Sequence, residues 1–319
     1  MEEYKYTHKT DLIKRFISDF NLPIPITEDK SLFEYYLGLY QNYYRAADKW
    51  EYLTDEIDTN FLGNTDAFLK HYYDSRDALI EKVKQNPHFI EFNNSDMSRF
   101  AVKIKDFTNK KLYCEDNCSK MFLSIDLKQA QIQALNFCDK EILKADTFEE
   151  FASDYGWYIS NSKYTRQVIF GQLNPSRQIT VEKYITNKIR LLLAKNNYLR
   201  QAEGGLLSFA NDELIYIIEA PLAISVDVLE RKIQDELGIK TRITKFVLEK
   251  LTLCNSYGGR KTFYAKLDID KFKYDYKTIP VSLMPIVRNL LNGEDIDPRS
   301  RIVYYDGLPT ELIGDYWLE

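Results

Sequence analysis

The chain has 319 residues, of which 45% are hydrophobic, and carries a net charge of −5. That length and apolar content suit one large domain or two to three smaller ones, each with a real core. The acidic balance argues against a protein that coats nucleic acid over its whole surface, because phosphate backbones reward clustered Lys and Arg; it leaves room for a local basic channel.

Residues 1–95 read as a helical region. Leu12, Ile13, Phe16, Ile17 and Phe20 form a helical stripe over residues 11–20. Pro23 and Pro25 break the chain, and Ser31 is a candidate cap for a long Tyr-rich helix from Leu32 to about Leu53. Gly63-Asn64 reads as a turn, Thr65 to Lys84 as a third helix, and Asn86-Pro87 as the close of the region. This part shows no chemistry of its own. Phe100, Val102 and Ile104 alternate with polar residues and suggest a short strand. The cysteines at 114, 118, 138 and 254 form no paired CxxC, which speaks against zinc and against a disulfide framework. No apolar run near ~20 residues and no leader-like start appear, so a soluble cytoplasmic protein without a membrane partner is expected.

Met121 to Ile125 reads as an apolar strand that Asp126 ends, with a helix from about Lys128 carrying Gln129, Gln131 and Gln133. Asp126 suits a helix N-cap and equally a metal ligand at the carboxyl end of a core strand. Thr147 to Tyr155 reads as a short helix stopped by Gly156. Ser160 to Leu173 is helical in pattern and sets Lys163 and Arg166 on adjacent turns. Ser176 is a candidate cap for a further helix, Gln178 to about Lys195. From Lys163 to Arg200 there are eight basic residues and a single acid, Glu182. In an acidic chain that local reversal suits a phosphate-rich ligand, or else a solvated helix face.

Two β-prone runs, Leu206–Ala210 and Leu214–Ile218, flank Asn211-Asp212-Glu213 and read as a β-hairpin. Asp212 and Glu213 at its tip are either solvated turn residues or ligands for a cation. Two acids on neighbouring strand ends can hold divalent cations, since Mg²⁺ needs only one or two carboxylates plus water and phosphate oxygens. Beyond Gly238, Lys240–Leu253 and Thr262–Leu267 read as strands around a basic turn, Ser256 to Lys261. Pro280–Leu291 reads as a helix and Arg301–Tyr305 as a last strand before Asp306-Gly307.

Three of these stretches, in order, resemble family A nucleic-acid polymerases. D-L-K-Q-A-Q-I-Q from Asp126 is similar to the family's first motif, D-Y-S-Q-I-E-L-R, with Gln131 where the family has a Glu against the incoming sugar. Arg166 takes the place of the phosphate-binding Lys of the fingers helix, and Phe170-Gly171 matches the Phe-Gly four residues on. Asn174 stands where the family has Tyr. Asn211-Asp212-Glu213-Leu214 is similar to His-Asp-Glu-Leu, with Asn for His. The resemblance covers roughly residues 98–239. It leaves no room for a proofreading exonuclease, and the short spacing from Arg166 to Asp212 implies minimal fingers.

The resemblance implies an α+β fold with a polymerase-like palm on an antiparallel sheet. The expected division is a helical thumb-like region at 1–95, palm and minimal fingers at 96–239, and a β/α extension at 240–319. It implies two-metal nucleotidyl transfer to a nucleic-acid 3′ end, with Asp126 and Asp212 holding Mg²⁺ or Mn²⁺ and Glu213 beside them. Lys163 and Arg166 would offset triphosphate charge. Phe170 would stack on the base and Gln131 would meet the sugar. Arg177, Lys183 and Lys188 would follow the backbone of a primer–template or free 3′ end. A compact enzyme of this type is expected from a virus or mobile element, acting in the host cytoplasm. An end-extending or priming transferase on the same scaffold is an alternative. So is a polymerase fold retained only to bind nucleic acid, for which the departures at Gln131, Asn174 and Asn211 speak.

Overall fold

The apolar stripe near the N-terminus forms helix α1 (Thr10–Asp19), with Leu12, Ile13, Phe16 and Ile17 buried. The computed structural model describes residues 6, 9–104, 112–199, 205–218, 222, 224–254, 260–276, 278–280, 283–295, 302–305 and 308–311. The chain divides into two units, one built from residues 1–99 and 131–181, the other from 100–130 and 182–319.

The first unit is helical. The stretch expected as one helix from Leu32 is three: α2 (Lys30–Leu39), α3 (Gln41–Tyr44) and α4 (Ala46–Phe61). The break lies at Arg45, which adopts a left-handed conformation at φ 53°. The Gln41 side chain supports it by accepting the N–H groups of Ala47 and Asp48, the first donors of α4 (3.0 and 3.3 Å). The cap of α2 is Asp29, not Ser31. Asn64 caps α5 (Thr65–Lys84). Asn86 accepts from His88 N–H and opens α6 (Pro87–Asn94). An Asn cap followed by Pro is a start signal for a helix, so this dipeptide begins an element where a close was expected.

Four more helices lie in this unit: α7 (Ala130–Cys138) from Gln131 on, α8 (Phe148–Phe151), α9 (Trp157–Asn161) and α10 (Lys163–Gly171). The pattern at 160–173 is divided because the Ser162 hydroxyl caps α10 through Thr165 N–H at 3.0 Å. Gly156 precedes α9 at φ 97°. The core is aromatic: Trp50 lies edge-on to Phe16 and Phe33, at 5.0 and 4.9 Å between centroids. One carboxylate is buried within it. Asp19 accepts both arms of Arg15 (2.7 and 3.0 Å), Tyr158 Oη (2.7 Å) and Tyr72 Oη (3.2 Å). A buried charge held this way has its lone pairs satisfied, which the interior requires.

Helix α11 (Pro175–Lys195) contributes its start to the first unit and residues from Glu182 onward to the second. The second unit is built on strands β1 (Met121–Leu127), β2 (Leu206–Phe209), β3 (Glu213–Ile218), β4 (Thr241–Cys254), β5 (Arg260–Asp268) and β6 (Lys273–Asp275). Helix α12 (Val226–Leu237), capped by Ser225, links β3 to β4. The six strands form one sheet in the order β2-β3-β1-β4-β5-β6, antiparallel throughout. Its first part runs strand, helix, strand, strand, helix, strand, a split β-α-β arrangement with β1 in the middle. β1 buries side chains on both faces, Leu123 and Ile125 on one and Phe122 on the other. Phe122 stacks on Phe246 of β4 at 5.2 Å, in a cluster with Leu112, Ile215 and Leu248.

A helix, α13 (Met284–Leu291), and a hairpin of β7 (Ile302–Tyr305) and β8 (Leu308–Glu311) follow. The mixture of helix and antiparallel sheet is the α+β class expected. Ser98–Phe100 forms a 3₁₀ turn in place of the expected strand, and the described residues up to 104 add no strand. The units also differ from three consecutive segments. Residues 131–181 join the N-terminal helices, and β4 is a direct neighbour of β1 instead of the start of a separate extension. Residues 256–259 of the basic turn, and Asp306-Gly307, lie outside the described residues.

Candidate functional site

Strand pairing brings the sequence-predicted acids to one end of the sheet. β1 runs through Asp126 to Leu127, so Asp126 lies within the strand. Its register partners are Glu213 on β3 and Arg242 on β4. One residue further, Leu127 N–H donates to the Asp212 carbonyl at 2.9 Å. Paired residues in an antiparallel ladder share a face, so Ser124, Asp126, Glu213 and Arg242 belong to the same side of the sheet.

Each of the strand acids has a basic neighbour. Arg242 Nη2 lies 2.6 Å from Asp126 Oδ2, with 57% of the Arg side chain and 26% of the Asp side chain exposed. Glu213 Oε1 accepts from Ser124 Oγ at 2.6 Å and lies 3.8 Å from Lys266 Nζ. Asp212 is exposed at the turn. Arg242 also lines a cavity of about 980 Å³ shared with Lys128, Ser225, Asp227 and Lys245. Polar groups of that cavity are engaged: Lys245 with Asp270 at 2.7 Å, and Glu230 with the Ile243 N–H at 2.7 Å.

A fourth acid comes from α11. Thr186 Oγ1 donates to the Asn211 carbonyl at 2.7 Å, tying this helix to the β2–β3 turn. One turn earlier, Glu182 is only 5% exposed, and its Oε1 has no hydrogen-bond partner. Its carboxyl is pushed up to about 7, first by burial and then by the negative charge of Asp212. Glu182 was noticed in the sequence only as the lone acid of a basic stretch. The better signal is its phase: Gln178, Ile185, Thr186 and Ile189 share its helical spacing, and all are buried.

Among the described residues no three His, Cys, Asp or Glu side chains form a group able to hold a metal. A cation resting on Asp126 as it stands does not fit, because Arg242 occupies that carboxylate. The donors that come nearest to what Mg²⁺ takes, one or two carboxylates completed by water, are exposed Asp212 and the buried Glu182 oxygen that has no hydrogen-bond partner.

The remaining sequence-predicted residues are placed as follows. Lys163 is exposed at the start of α10 and Arg166 is half-buried one turn on. Arg166 Nε is buried without a hydrogen-bond partner; burial lowers the guanidinium pKa, and the charge of Glu149 opposes this. Phe170 does not offer a stacking face. It is 1% exposed, packed edge-on to Phe148 at 6.3 Å, because the inner side of α10 is the core side. Arg177 is engaged inside its own unit and not along a nucleic-acid backbone. Its Nη2 donates to the carbonyls of Phe92 (2.7 Å) and Ser95 (2.5 Å) and to Ser95 Oγ (3.1 Å), closing the end of α6. Gln131 is half-buried in α7. Lys183 and Lys188 are half-buried, with their ammonium groups over the Phe209 and Tyr184 rings at 5.9 and 5.2 Å. Arg200 lies outside the described residues. No helix among the described residues is long and apolar enough to cross a membrane.

No protein-family model, no curated protein and no solved structure matches this chain.

Proposed function

We propose that the protein adds nucleotides to the 3′ end of a nucleic acid, using nucleoside triphosphates and the acidic end of β1 and β3 as the reacting centre. The reading is carried by one observation. Asp126 and the Asp212–Glu213 turn meet on neighbouring strands of a split β-α-β sheet, with Leu127 N–H bonded to the Asp212 carbonyl. Asp212, and Asp126 after release from Arg242, would hold Mg²⁺ or Mn²⁺. A divalent cation there supplies activation of the attacking hydroxyl and stabilisation of the leaving oxygen.

The chain's own groups prepare that centre. Arg242 fixes the Asp126 carboxylate, and its exposure leaves it free to turn toward a phosphate. Ser124 and Lys266 orient Glu213.

The test is primer extension with Mg²⁺ or Mn²⁺, with both ribonucleotides and deoxyribonucleotides. Asp212→Asn keeps the size and turn preference of the residue and removes its charge. Incorporation is expected to fall about a thousandfold, equivalent to ~4 kcal/mol of barrier, with nucleic-acid binding near normal.

A second reading has its own support. Arg242 already neutralises Asp126, and Ser124 and Lys266 already satisfy Glu213. This favours a sheet that binds nucleic acid without catalysis. Wild type and Asp212→Asn equally inert across metals, sugars and templates, both still binding nucleic acid, would establish it and sink the first.

A further inference from the structure

The acids at the end of the sheet are not equivalent. Asp126 and Glu213 have cationic neighbours in Arg242 and Lys266. Glu182 arrives from a different element and is almost wholly buried, with an oxygen that no donor reaches. A buried carboxylate oxygen without a donor is costly to a folded protein and calls for an explanation, an unseen ion being one. Its position is built. The Thr186 bond to the Asn211 carbonyl fixes α11, one turn beyond Glu182, against the residue preceding Asp212. The same helix is otherwise basic, so an acid on its inner face is not part of a solvated pattern.

We propose that Glu182 and Asp212 together form a divalent-cation site, with Glu182 supplying the inner ligand from α11 and Asp212 the outer one from the β2–β3 turn. The inference rests on the nucleotidyl-transfer reading and deepens it by adding a ligand from outside the two strands. The chemistry selects the ion. Two carboxylates and no thiolate or imidazole are a hard oxygen set. Exposed Asp212 leaves the other positions to water and phosphate oxygens, the habit of Mg²⁺ and Mn²⁺ and not of Ca²⁺, which takes six to eight oxygen ligands.

The test is a Mn²⁺ titration of the full chain without nucleotide, read as free Mn²⁺ by electron paramagnetic resonance, with thermal melts in parallel. Wild type should bind Mn²⁺ and melt higher with it. Glu182→Gln and Asp212→Asn should each lose affinity by about tenfold or more, since even outer partners of a metal ligand are worth that much. Asp66→Asn, an exposed acid in the first turn of α5, should bind as wild type does. Should Glu182→Gln not fold, Glu182→Asp is read instead, its carboxylate drawn back by one methylene, with weaker binding expected. Wild-type affinity in the Glu182 variant overturns the inference, as does a wild type that binds no Mn²⁺. Primer extension on the same proteins separates the two readings. Extension that needs Asp212 but is indifferent to Glu182 removes only the site proposed here, and no extension by wild type removes the nucleotidyl-transfer reading itself.

Discussion

Burial of Glu182 makes the metal-free protein sensitive to pH in a defined direction. The folded carboxyl sits at about 7, against about 4.3 for an unperturbed Glu. Between those values the folded state holds a proton that the unfolded state has released. Stability is therefore expected to fall as pH rises from roughly 4.5 to roughly 7, by at most about 4 kcal/mol, and to level off above. Urea unfolding at pH 5 and pH 8 with a chelator present should show the drop in wild type and a smaller one in Glu182→Gln. Equal drops in both would assign the effect elsewhere. Sequence pattern marked Asp126 and Asp212 because strand ends and hairpin turns leave short local signals; their approach across β1 and β3 is what the sheet adds. It passed over the burial of Glu182, since one acid among eight bases looks like surface until its phase against Ile185 and Ile189 is weighed. Phe170 and Arg177 mislead for a related reason: a motif position or a basic stretch gives the residue type a site needs, but not whether neighbours have already claimed the side chain.

At the scale of elements, capping chemistry decided what could be read. The bounds of α5 follow from Asn64 and a clear run to Lys84, and they agree with the structure. The break within 30–61 was hidden because it depends on a Gln side chain reaching six residues ahead, a bond that no propensity records. The start of α9 depends on a single glycine. Gly156 combines φ 97° with ψ 163°, a region open to glycine and costly to other residues. A Cβ there would lie 2.2 Å from Glu56 Oε1, while Glu56 Oε2 is held by Tyr158 N–H at 2.9 Å and cannot swing away without loss. Gly156→Ala should therefore destabilise by about 1–3 kcal/mol from backbone strain alone, seen as a lower melting temperature. A melting curve superimposable on wild type would mean that the helix start has another support.

At the scale of the molecule, the pairing of β1 with β4 is the least legible feature. It joins residues more than a hundred positions apart in the chain, and nothing near Thr241 marks it. The sequence pattern suggests a boundary at 240, and the sheet contradicts a division there. A fragment ending at residue 239 removes β4 and leaves β1 with one bare edge, which invites pairing with other chains. Such a fragment is expected in the insoluble fraction, and recovery of a soluble monomer would show that β1 and β3 stand without β4. The same interleaving governs how the protein is made. β1 emerges from the ribosome before either of its partners exists. Fifty-one residues of the other unit, 131–181, are synthesised in between, and the sheet cannot close until residues 241–254 appear. At about 5–20 residues per second that is a wait on the order of ten seconds. Throughout it an apolar strand must be kept from its neighbours, so yield in the cell should depend on chaperone supply and on codon choice between β1 and β4.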